Sequence, residues 1–157
     1  MKPTYAHELS ERALKNYEIL AKLEEDGKKN IYTTTALISA MIFSIISFNE
    51  KVFRELSNKQ LPPEIRRWEW PNEVRQYLSS DSKFISFLNS LRNSVAHSDF
   101  QFIVEGKTNV VKGASFSIEM DNKRPTIDFF ETDLLNLLKN LTKTYKFYKI
   151  PSAAHYL

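Results

Sequence analysis

The chain has no cysteine, so neither a disulfide nor a thiolate metal site can form, and a reducing compartment is permitted. Its three histidines stand at positions 7, 97 and 155, with no two near each other in sequence. That spacing gives no local support to a histidine metal site, and no metal or cofactor is expected. Glycine is scarce, with three in 157 residues. Gly106-Lys107-Thr108 imitates the end of a phosphate-binding loop, but Gln101 stands where the first glycine belongs and no helix follows, so that reading is rejected. Long apolar runs are missing too. The most apolar stretch, Ala36 to Phe48, is broken by Ser39, Ser44 and Ser47 and is too short to span a bilayer, so it reads as a buried helix. Met1 to Tyr5 lacks an export signal, and we expect a cytoplasmic protein with no membrane partner. A net charge of +3 permits an anionic partner without demanding one.

What is present is helical patterning, enough for one domain over residues 1–157. From about Pro3 to Asp26, Tyr5, Leu9, Ala13, Tyr17, Leu20 and Leu23 recur at helical spacing, and Gly27 is the expected stop. A second helix, from about Thr35 to Leu56, is apolar nearly all round in its first half and must be covered on most sides. Pro62, Pro63 and Pro71 mark a loop over about residues 57–71. A third helical region begins near Asn72, restarts at Asp81 or Ser82, and runs to about His97. The period then changes to two. Phe100, Phe102 and Val104, then Ala114, Phe116, Ile118 and Met120, predict two strands; Thr126 to Phe129 predicts a third, after the turn-like Asp121-Asn122. Thr132 is the expected cap of a last helix carrying Leu134, Leu135, Leu138, Leu141 and Tyr145. The fold class is mainly α (α+β): a helical bundle with a small antiparallel β insertion, about 100–129, between the third helix and the last.

The segment Arg92-Asn93-Ser94-Val95-Ala96-His97 carries the chemistry. Arginine offers a planar fork for phosphate oxygens, and histidine can both give and take a proton near neutrality. At about 100° per residue, Phe84, Leu88, Leu91 and Val95 form a core stripe, while Ser86, Ser90, Asn93 and His97 lie roughly opposite, flanked by Asn89 and Ser94. That opposite face has no Lys, Glu or Asp, which suits a covered face or a groove better than open solvent. Arg92 sits about 140° from His97. Three arrangements bring them together: the helix ends before His97, Arg92 reaches round its own helix, or the site combines two chains. The bland alternative is an Arg and a His that only complement a helix C-terminus.

Arg92-Asn93-(three residues)-His97 resembles the Arg-polar-x-x-x-His signature of HEPN domains, named for higher eukaryotes and prokaryotes nucleotide-binding. Leu91 to Phe100, followed by β segments and a Leu-rich helix, looks like the plasmid-borne and defence-associated HEPN subgroup with a β insertion, and Ser47-Phe48-Asn49-Glu50 is similar as well. The resemblance implies a helical domain that dimerises through its motif helix, residues 84–97, and often acts as a metal-independent endoribonuclease. It implies Arg92 and His97 as the catalytic pair and Asn93 as the polar position after the arginine. A toxin or anti-phage role, with an antitoxin or regulatory protein as partner, follows from the same resemblance. Since many HEPN domains are inactive adaptors, the alternative is a non-catalytic module that binds RNA, a nucleotide or a protein.

Two further patches suit RNA. Lys139, Lys143 and Lys146, with Tyr145 nearby, give a basic and aromatic end to the last helix, where lysines also simply complement the dipole. Arg66 and Arg67 stand between Glu64 and Trp68 in the proline-rich loop, as a substrate or protein contact or as part of a loop pinned by its tryptophans.

Overall fold

The computed structural model describes residues 6–46, 71–78 and 81–150. Within them the chain runs α1 (Ala6–Glu25), α2 (Thr33–Ile46), α3 (Asn72–Tyr77), α4 (Asp81–Ala96), β1 (Phe100–Val104), β2 (Val111–Ser117), β3 (Thr126–Phe130) and α5 (Glu131–Tyr148). The expected loop over 57–70, with Arg66 and Arg67, and the segment Ser47 to Glu50 lie outside the described residues.

Helix α2 is the hub, packed against α1, α4, α5 and β2 as its nearly all-round apolar surface requires. Leu37, Ile38, Met41 and Ile45 are buried against Phe87, Leu88, Leu91, Leu137, Leu138 and Leu141 in one core, while Phe43 stays exposed. Helices α1 and α5 pack side by side, joined at one end by the Ala6 amide on the Ile150 carbonyl and farther along by the Tyr17 hydroxyl on Glu131. A buried polar tie joins α5 to α2: Tyr145 donates its hydroxyl to the Ser44 carbonyl at 3.0 Å.

The sheet is antiparallel in the order β1-β2-β3. Ala114, Phe116, Ile118, Ile127 and Phe129 form its buried face, as their alternation predicts. Strand β2 starts earlier than Ala114, because Gly113 pairs with both neighbours and lies so close to β3 that a Cβ there would strike the Phe129 carbonyl. Strand β1 departs from expectation. Its apolar residues Phe102 and Val104 are about half exposed, since β1 is an edge strand past the cover of the helices. Pairing between β2 and β3 extends through Ile118–Pro125 and Met120–Lys123 to a two-residue turn at Asp121 and Asn122, both at positive φ as an I′ hairpin requires.

One boundary differs from the sequence reading and another agrees with it. Helix α5 begins at Glu131, not after Thr132, because the Asp133 carboxylate accepts the Phe130 amide at 3.0 Å and closes the first turn. Helix α1 ends at Glu25, and Gly27, at φ 77, turns its end as expected.

Candidate functional site

Helix α4 buries an arc wider than four residues suggested. Phe84, Ile85, Phe87, Leu88, Leu91, Ser94 and Val95 are all buried, and Arg92 projects between Ile85 and Leu88 rather than at the edge of the polar face. Its side chain is half-buried, with Nε enclosed. From there Nη1 reaches Asn93 Oδ1 at 3.4 Å. Arg92 therefore turns toward its neighbour Asn93.

The polar face is partly occupied by the chain itself. Ser90 Oγ accepts the Glu119 amide at 2.6 Å, and the hairpin tip is tied to the start of α4 by Lys83 and Asp121 at 3.4 Å. The β2–β3 hairpin thus lies along the Ser90 side of the helix. What stays open is a strip of Ser86, Asn89, Asn93, Ala96 and His97, with no Lys, Arg, Asp or Glu in it. Asn89 Oδ1 lies buried beside this strip without a hydrogen-bond partner among the described residues, an acceptor whose desolvation is uncompensated.

His97 follows the last helical residue. Its amide still bonds to the Asn93 carbonyl at 2.9 Å, and its exposed imidazole makes no hydrogen bond among the described residues. The backbone after it is tightly held. Ser98 is left-handed at φ 59, its amide returns to the Val95 carbonyl at 3.1 Å, and the Asp99 amide returns to the Ser94 carbonyl at 2.7 Å. This is a Schellman end built without glycine. Ser94, on the buried side, adds its hydroxyl to the Asp99 carbonyl at 2.7 Å, and that carbonyl also accepts the Ser117 amide at 3.0 Å. The Asp99 carboxylate pairs with Arg124 of the hairpin. Sequence reading missed Asp99 and Arg124 because the pair joins segments 25 residues apart.

On α5, Lys139, Lys143 and Lys146 are exposed along one stripe, with Lys146 facing Glu11 at 3.7 Å. Tyr145 is not with them. It is fully buried, burial pushes its hydroxyl well above the usual tyrosine range, and it cannot stack on a base from that position. The core stripe through Leu134, Leu138 and Leu141 claims it. The exposed aromatic at this end is Phe147, set edge-on to Tyr148 with ring centroids 5.0 Å apart. Among the described residues, no helix is long and apolar enough to cross a membrane.

The site is thus a half-buried guanidinium bent toward an asparagine, next to an exposed imidazole at a rigid helix end. No curated protein and no solved structure matches the chain. The family model described as HEPN pEK499 p136 matches residues 1–152, which takes in the motif helix, the β insertion and the last helix alike. With that coverage, the chain belongs to this HEPN family.

Proposed function

We propose that the protein is a metal-independent endoribonuclease of HEPN type whose site forms where two copies appose residues 84–97. The observation that carries this reading is the bend of Arg92 onto Asn93, which brings a fixed cation to the strip where His97 is exposed. The ribose 2′-oxygen attacks the adjacent phosphorus, the bond to the 5′-oxygen breaks, and the products are a 2′,3′-cyclic phosphate and a 5′-hydroxyl. His97 takes the 2′-hydroxyl proton while the partner's His97 protonates the leaving oxygen, because one imidazole does not do both in a single step. Each proton transfer contributes on the order of 10²–10⁴-fold. Arg92 stabilises charge on the phosphorane, and Asn93 orients His97 or bonds a phosphate oxygen. Lys139, Lys143 and Lys146 are exposed to grip RNA phosphates. DNA, lacking the 2′-hydroxyl, is spared. The physiological role we assign is that of a toxin or anti-phage effector in the cytoplasm, held in check by an antitoxin or regulatory protein.

Purified protein incubated with RNA in EDTA should yield cyclic-phosphate ends, and His97→Ala and Arg92→Lys should not. Arg92→Lys keeps the charge of this half-buried residue while removing its fork. Absence of cleavage across varied RNAs overturns the enzyme and leaves a non-catalytic binding module. Light scattering should give a dimer; a monomer at high concentration counts against the shared site. Growth arrest on expression, relieved by His97→Ala, tests the toxin role.

A further inference from the structure

A phosphodiester brought to His97 meets an adverse field. The imidazole sits at the C-terminus of α4, where carbonyls and the macrodipole present partial negative charge, and no basic residue lies in the last turn. The Asp99 carboxylate is two residues away, so its Cα is within about 7 Å of that of His97. Arg92 is half-buried and turned toward Asn93, so it does not offset all of this.

We infer that Arg124 is a second substrate-binding cation of the site, delivered by the β insertion and taking the phosphate next to the scissile one. This rests on the reading that His97 handles RNA. Arg124 pairs with Asp99 through Nη2, yet its side chain is 59% exposed, and a guanidinium carries five N–H donors, so several stay free for a phosphate. Its mount is rigid. The I′ turn at Asp121-Asn122, the paired Met120–Lys123 bonds at 2.8 Å and the Ile118 amide on the Pro125 carbonyl at 3.0 Å hold the hairpin on both sides of Arg124. Asp99 is equally fixed, through Ser94 and Ser117. The carboxylate therefore acts as a holder: it fixes the guanidinium on the residue two positions after His97, and the arginine cancels the charge that would repel the substrate.

The test is binding of a short 2′-O-methyl RNA, which lacks the nucleophile and stays intact, measured by anisotropy across a salt series. Arg124→Ala should weaken binding about tenfold and lower the log–log salt slope by about 0.7, the value for one phosphate contact on a single strand. Arg124→Lys should keep the slope and recover part of the affinity. With cleavable RNA, Arg124→Ala should raise KM and leave kcat within about threefold, the signature of a group that binds ground and transition states alike. An unchanged affinity and slope in Arg124→Ala overturns the inference, as does a wild type that does not bind the RNA at all. A wild type that binds but never cleaves removes the nuclease reading alone, and the salt slope still decides Arg124.

Discussion

At the end of α4, Ser98 takes φ 59 and the amides of Ser98 and Asp99 return to Val95 and Ser94; at the end of α5, Lys149 takes φ 51 and the amides of Lys149 and Ile150 return to Lys146 and Tyr145. The backbone device is the same, and in neither case is the left-handed residue glycine. What surrounds it differs. The α5 end is closed by burial: Ile150 and Tyr145 are inaccessible, and the Ile150 carbonyl is taken by the Ala6 amide. The α4 end is held by polar groups, Ser94, Ser117 and Arg124 around Asp99, and it leaves His97 in the open. For the catalytic role proposed for His97, an imidazole that meets a substrate cannot be fixed by packing over it, and the backbone beneath it is what the chain immobilises.

The two ends should therefore fail in different ways. His97→Ala should lower cleavage by on the order of 10²–10⁴-fold while leaving the melting temperature nearly unchanged, because the side chain is exposed and makes no bond among the described residues. A drop in stability with this variant would mean that the α4 end is a packed end after all. Tyr145→Ala should do the reverse, costing about 3–5 kcal/mol in denaturant titrations through the cavity left beside α2 and the lost bond to Ser44. Tyr145→Phe separates the two terms, at about 1–2 kcal/mol for the hydroxyl alone.

Matched substitutions sharpen the contrast. Ser98→Gly and Lys149→Gly each remove a side chain from the left-handed region, and each should raise stability by about 0.5–1 kcal/mol after allowing for glycine's added freedom in the unfolded chain. Only Ser98→Gly, next to His97, should also change the cleavage rate. Equal activity in both variants would show that the rigidity of this turn does not serve the site.

The smallest expected effect lies away from both ends. Burial, then the hydrogen bond and nearby charge of Glu131, push the Tyr17 hydroxyl from 10.0 to about 12. The folded chain thus holds this proton more tightly than the unfolded chain, so the contribution to stability is complete below pH 10 and is lost as pH rises toward 12. Tyr17→Phe should flatten that alkaline decline in urea midpoints, whereas an unchanged slope would assign the decline to other groups.

The core stripe of α4, the alternation in β2 and the Gly27 stop were legible in the sequence, because each depends on the period of one element or on one residue's backbone freedom. Tyr145 shows two local signals in conflict. Its lysine neighbours suggested an exposed nucleic-acid surface, its spacing from Leu138 and Leu141 put it in the core, and the burial of a large ring prevailed. For β1 the alternation was correct and its implication was not, since a strand's apolar face is buried only where another layer covers it.

The sequence by itself determined the helical bundle, the place of the β insertion and the triad of residue types at Arg92, Asn93 and His97, all of which follow from local periodicity and spacing. Only the tertiary structure decided that the hairpin lies along Ser90 and that Arg124 pairs with Asp99. Those contacts join residues 29 and 25 positions apart. Pattern within one element cannot encode them, because they arise when separate elements share a single packed core.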